Sequence, residues 1–127
     1  MTANKPLFIV YFLIIFQGNA LGEWDEYMRE ANGDAFFYNK GNIQQEDSLV
    51  KVWTRIRYKS SVMGAASYQS LIRIDCCDDS ETTLQSTFYI DSNWTHPAMA
   101  TDAKKKPKTY IDGNDALERL TRILCKH

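Results

Sequence analysis

Leu49-Val50-Lys51-Val52-Trp53-Thr54-Arg55-Ile56-Arg57-Tyr58 alternates without a break. In an extended chain Val50, Val52, Thr54, Ile56 and Tyr58 fall on one side, and Lys51, Trp53, Arg55 and Arg57 on the other. A helix would need its apolar side chains three or four residues apart, so residues 49–58 read as a strand with one apolar and one cationic face. Toward the C-terminus residues 68–76 alternate again. Ser70, Ile72, Ile74 and Cys76 share one side, and Leu71, Arg73 and Asp75 the other. The acidic turn Asp78-Asp79-Ser80 leads to residues 83–90, where Leu84, Ser86, Phe88 and Ile90 share a face. Beyond the turn cluster Asp91-Ser92-Asn93, residues 94–99 form a weaker candidate strand broken by Pro97. Toward the N-terminus, Ala35-Phe36-Phe37-Tyr38 reads as a short strand closed by the turn Asn39-Lys40-Gly41-Asn42.

Short polar turns favour an antiparallel meander, because a parallel pair needs a crossover of a dozen or more residues. The period changes at the end of the chain. Asn114 offers an N-cap after Asp112-Gly113, Asp115 and Glu118 place negative charge in the first turn, and Leu117, Leu120 and Leu124 repeat at helical spacing, widened by Ile123. Arg119, Arg122 and Lys126 fall outside that stripe. The expected fold is α+β: a small twisted antiparallel sheet of about five to six strands with one C-terminal helix packed on it.

The 127 residues allow one domain and exclude a two-domain enzyme with a separate cofactor module. A hydrophobic share of 44% against 24% charged fits a packed protein rather than a disordered one. Fifteen Lys+Arg against 16 Asp+Glu give a net charge of -1, so no overall field draws nucleic acid, and any charged partner must meet a local patch. No nucleic-acid partner is expected.

Residues 7–16, LFIVYFLIIF, follow Lys5 and precede the small-residue stretch Gly18-Asn19-Ala20-Leu21-Gly22. This is the pattern of a secretory signal peptide, and the apolar run is half the length of a spanning helix. Residues 1–22 are thus expected to be a signal peptide, cut after Ala20 or Gly22, and residues 23–127 one domain. Glu23 stands where a lipoprotein would carry its acylated Cys, so the expected product is exported, whether periplasmic, secreted or associated with the cell surface, not a lipoprotein and without a stable membrane anchor.

Export places the three cysteines in an oxidising compartment, where pairing is the default. Cys76 shares the apolar side with Ile72 and Ile74, and Cys77 points the other way. A vicinal bridge would strain the peptide. Cys76–Cys125 is the preferred pair and Cys77–Cys125 its competitor; the preferred bridge would tie the helix end to the sheet and contribute about 2–4 kcal/mol. The cysteine left over, Cys77, suits a homodimer.

Trp24, the run Phe36-Phe37-Tyr38 with its turn and Ile43, Val50-x-Val52-Trp53, Ile74-Asp75-Cys76 and a terminal helix ending in Cys125 form a layout that resembles the surface-adhesin protein E-like family of exported Gram-negative bacterial proteins. The resemblance runs from Trp24 to Cys125. It implies a small antiparallel sheet with a C-terminal helix, a disulfide between the mid-chain and terminal cysteines, no enzymatic activity, and adhesion to host matrix and plasma proteins. Asn39 replaces the Asp expected after the aromatic run. No motif in the chain defines a binding residue to carry over.

Catalytic chemistry finds little footing. No nucleophile elbow, zinc-binding helix motif or phosphate loop is present, and Cys77 with His96 lacks an orienting third group. No cofactor is expected. Asp75, Asp78, Asp79 and Glu81 lack the ligand alternation and sharp glycine of a calcium loop, so a solvated turn is the simpler account and no metal is expected. Asn93-Trp94-Thr95 has the form of a glycosylation acceptor, relevant in a eukaryotic source alone. Two cationic features remain. Lys51, Trp53, Arg55 and Arg57 would group three cations around one ring, a composition typical of interface hot spots. Lys104-Lys105-Lys106-Pro107-Lys108 forms a basic loop able to touch anionic polymers such as lipopolysaccharide or glycosaminoglycan. Together they are the candidate surface for a protein or anionic-polymer ligand. The alternative is a soluble periplasmic structural or assembly factor with an endogenous protein partner.

Overall fold

A computed structural model describes residues 23–98 and 102–125. The expected signal peptide, Met99 and Lys126 lie outside the described residues. Among the described residues seven strands make one antiparallel sheet: β1 (Trp24–Arg29), β2 (Ala35–Asn39), β3 (Gln44–Glu46), β4 (Leu49–Val62), β5 (Ala65–Asp75), β6 (Ser80–Tyr89) and β7 (Thr109–Tyr110), followed by one helix, α1 (Asp115–Leu124). The order is β1-β2-β4-β5-β6-β7, with β3 paired to the start of β4. Because β2 faces residues 54–57 and β3 faces residues 49–51 of β4, the two lie end to end as one interrupted line. Across the sheet there are therefore six lines of chain.

Apart from β2 and β3, which lie end to end along β4, consecutive strands pair with one another. β4 runs to Val62, four residues past its alternating stretch. It turns through Met63 and Gly64, with φ of 51° and 85°. A two-residue hairpin turn of type I′ needs positive φ at both central positions, which Gly64 adopts freely and the fully exposed Met63 adopts at a cost.

The apolar face of β4 and β5 is the core. Val52, Ile72, Ile74, Ile111 and Leu120 form its buried centre, and Tyr27, Tyr38, Cys76, Leu117, Leu124 and Cys125 pack around it. Burial pushes the Tyr27 phenol well above its ordinary pKa. The helix starts where Asn114 accepts the Leu117 amide at 3.0 Å. It ends one residue before Cys125, whose non-helical backbone brings its sulfur to Cys76 with the Cα atoms 5.6 Å apart. Cys76–Cys125 is the disulfide, and Cys77 is left free and exposed. The 49-residue separation makes its chain-entropy contribution about 4 kcal/mol.

Residues 94–98, the described part of the 94–99 stretch, depart from the reading as a strand. Asp91 gathers the amides of Asn93, Thr95 and His96 and the Thr95 hydroxyl at 2.6–3.1 Å, which curls the chain into a tight turn with Trp94 at φ 56°. A single bridge, Tyr89 to Pro97, is all the pairing this segment makes. These bonds hold the Asp91 carboxyl far below the usual carboxylate range, the Thr95 hydroxyl contributing most. Further on, Asp102 exchanges both backbone hydrogen bonds with Ser86, and Lys106 donates to Thr83. The chain beyond β6 therefore covers that sheet edge.

Leu84 also departs from its expected face. The pairing of β5 with β6 shifts between Leu71 and Ile72, so Gln85 and Thr83 find partners while Leu84 bulges out. Ser86 and Phe88 stay on the core side opposite Ser70 and Tyr68, whereas Leu84 lines a groove on the other side.

Candidate functional site

The cationic side of β4 faces away from the helix, and its two ends are built differently. At one end Arg55 and Arg57 are opposite Phe37 and Ala35 of β2. The Arg55 guanidinium lies 4.0 Å from the Trp24 ring centre and 4.6 Å from that of Trp94. Arg57 lies 4.9 Å from Trp94 and 5.4 Å from Phe37. Phe37 meets Trp94 edge-on at 5.7 Å. The stack is pinned by hydrogen bonds: Arg55 Nε to Gln69 Oε1 at 2.8 Å, Arg57 Nε to the Ser92 carbonyl at 3.1 Å, and Trp94 Nε1 to the Tyr68 carbonyl at 3.0 Å. Burial draws the Arg55 pKa below its ordinary value, with the neighbouring Arg57 adding to the effect. Even so, an arginine this basic stays protonated.

The rings beneath these cations are thus Trp24, Phe37 and Trp94, and not Trp53 as the alternation alone suggests. Trp53 is on the same face one step along β4, half-buried and opposite Leu71. Trp94 arrives from the Asp91 turn, which no strand periodicity reveals; the pattern Asp91-x-x-x-Thr95, able to close a side-chain-capped turn, is the one local signal.

At the other end, Lys51 of β4 sits directly opposite Arg73 of β5, and Gln44 of β3 is opposite Lys51 on its outer side. Neither the Lys51 nor the Arg73 side chain has a hydrogen bond or ion pair among the described residues. They line a groove of about 380 Å³ with Gln44, Gln45, Glu46, Leu49 and Leu84.

The basic loop is elsewhere. β5 and β6 separate it from β4, three strand spacings or about 14 Å across the sheet. The structure therefore does not join it to the Lys51–Arg57 row in one patch. Two of its four lysines are spent: Lys106 pairs with Asp102 and Lys108 with Asp78, each at 2.7 Å. These pairs lower the pKa of both carboxyls, and Asp78 raises that of Lys108. The ammonium groups of Lys104 and Lys105 make no such contact among the described residues.

The remaining candidates are dispersed. Cys77 and His96 flank opposite ends of β6, ten residues or about 30 Å apart along the strand. Asp75 accepts from the Ser48 hydroxyl and the Cys77 amide, Asp78 from Ser80 and Lys108, and Glu81 from the Thr83 and Thr109 hydroxyls. Their oxygens point to separate partners and not to one centre.

A six-line antiparallel meander, one disulfide-tied terminal helix and a cationic open face define a small sheet-and-helix domain. The family comparison is specific: residues 24–126 match the surface-adhesin protein E family, and the chain belongs to it. That family is one of exported, adhesin-like surface proteins. Among solved structures, Haemophilus influenzae protein E superposes with a TM-score of 0.62 at 13% identity, covering 82% of this chain and 84% of that one. A second crystal form of the same protein gives 0.60 at 14% identity, with 82% and 87% covered. Protein E from non-typeable Haemophilus influenzae gives 0.61 at 13%, with 82% and 76% covered. At this identity the likeness establishes the fold. A sequence search among curated proteins finds no significant match. Among the described residues no helix is long and apolar enough to cross a membrane.

Proposed function

We propose that the chain is a non-enzymatic, exported binding domain that contacts host matrix proteins or anionic polymers through its unpartnered cations. The observation that carries this reading is the contrast within the cationic residues themselves: Arg55, Arg57, Lys106 and Lys108 are engaged internally, while Lys51, Arg73, Lys104 and Lys105 are left for a ligand. Family membership supports the adhesin-like role. A covalent homodimer through the exposed Cys77 belongs to the same proposal, and non-reducing electrophoresis with Cys77→Ser as control reads it.

Retention on immobilised matrix proteins and on heparin, compared between the natural chain and a variant with Lys51, Arg73, Lys104 and Lys105 all changed to Gln, tests the reading. Retention should fall while the melting temperature holds. Charge reversal at Arg55 and Arg57 is a poor probe, because it would dismantle the ring stack. If fractionation leaves the protein in the periplasm and no host ligand retains it, the reading gives way to an endogenous partner.

A further inference from the structure

Lys51 and Arg73 are directly opposed on neighbouring strands. Like charges in that relation destabilise a sheet, and sheets ordinarily avoid it or place a carboxylate between them. Among the described residues no carboxylate bridges the two here. Asp75, next along β5, accepts from Ser48 at 3.1 Å and from the Cys77 amide at 2.9 Å, and Glu46, exposed at the β3 side of the same groove, forms no ion pair with either cation. The row across the sheet is instead donors throughout: the Gln44 amide, the Lys51 ammonium and the Arg73 guanidinium, on three adjacent strands and one face.

The geometry points to a site for a tetrahedral oxyanion, a sulfate or phosphate ester, carried on a sugar. Three donors stand side by side on one face, so the group that satisfies them all must offer at least three oxygens. A tetrahedral ester does this, and a flat carboxylate does not. The groove, about 380 Å³, is at the small end of ligand sites, and suits one ring with its charged substituent. Leu49 and Leu84 give it apolar walls, Gln45 adds a further amide for hydroxyl groups, and the half-buried Trp53 is the next position along the face. Walls of this mixed kind match a sugar ring better than an acidic peptide. The Leu84 bulge helps to shape the site, since regular pairing would send that side chain to the core face.

This inference rests on the cationic face being the ligand-contacting one, and it names the chemistry that one end of that face takes. Calorimetric titration of the purified protein with a sulfated heparin tetrasaccharide, with glucose 6-phosphate and with octaglutamate tests it. At least one of the two sugar esters should bind. K51Q/R73Q should weaken that binding by about tenfold or more, since two charge-assisted contacts are lost, with an unchanged or raised melting temperature. K104Q/K105Q should change it less than about twofold. Binding of the sulfated sugar alone identifies a sulfated polysaccharide as the source, and binding of the phosphorylated sugar a phosphorylated glycan; either supports the site. No binding of either ester, equal binding of octaglutamate through Lys51 and Arg73, or loss in K104Q/K105Q alone would overturn it. Intact retention on host proteins alongside such a failure would sink this site and leave the broader reading standing.

Discussion

At one end of the exposed side of β4, Arg55 and Arg57 lie against three aromatic rings and are held by hydrogen bonds to Gln69 and the Ser92 carbonyl. At the other end, about 13 Å along the strand, Lys51 confronts Arg73 with no counter-charge in contact. The same alternating stretch of ten residues supplies a cationic side chain to both ends. What separates them is what the rest of the chain brings: Trp24, Phe37 and Trp94 to the first, and the short polar strand β3 with the bulged Leu84 to the second. A positive side chain with rings on either side works as a structural brace. One facing another positive side chain across an open groove is a cost that a ligand can offset.

Removing the shared ring should break the brace most severely. Trp94→Ala takes away a partner of both guanidiniums, the edge contact to Phe37 and the hydrogen bond to Tyr68, and should cost about 3 kcal/mol. For a domain of this size that is a fall in melting temperature of roughly 10–20 °C by calorimetry. A drop of only a degree or two would mean that the rings merely decorate the surface.

Reversing one charge at each end sharpens the contrast. Arg55→Glu should lose about 2 kcal/mol, because a carboxylate between two indole faces is both desolvated and repelled by the rings. Lys51→Glu should be neutral or gain a few tenths of a kcal/mol, since it turns a repulsive cross-strand pair into an attractive one. Urea denaturation of the two variants reads the difference, and equal losses would erase the distinction between the ends.

Acid should undo the brace end selectively, through Asp91. Its carboxylate shapes the turn that delivers Trp94, and its folded pKa is depressed below the unfolded value of about 3.9. Stability from this group is therefore fully present above that value and drains away as pH falls through it toward the folded pKa. The melting temperature should decline below about pH 4, with a change in tryptophan emission, and Asp91→Asn should flatten that decline. A decline of the same steepness in the variant would assign the acid sensitivity to other carboxyls.

The strand pattern that decides the fold is legible because burial enforces it: Val50, Val52, Ile72 and Ile74 must share a face for the core to exist. The helix is readable for the same reason, with Asn114 and the leucine stripe marking its start and buried side. β1 escapes a periodic reading because its pairing slips between Glu26 and Met28, and β3 because Gln44-Gln45-Glu46 carries no apolar residue. Site residues are harder still. Which ring meets Arg55 depends on a turn some 40 residues further along, and the opposition of Lys51 to Arg73 depends on the register of a hairpin. Alternation places the residues of β4 and β5 on the correct face, misplaces Leu84 where β6 bulges, and does not say what stands beside any of them.

The smallest effect tests the open end most directly. Two cations in opposition repel through water and partly through protein, and salt screens that repulsion once the Debye length, about 10 Å at 0.1 M, falls toward their separation. Raising sodium chloride from about 0.05 to 0.5 M should therefore stabilise the natural chain relative to Lys51→Gln by a few tenths of a kcal/mol. Measuring the difference between the two proteins cancels the response of every other surface charge. The Arg55–Arg57 pair should show no such gain, because rings and fixed hydrogen bonds already hold those cations in place. A salt response that is identical in both proteins would mean that Lys51 and Arg73 swing apart into solvent, and that the groove between them carries no stored repulsion for a ligand to relieve.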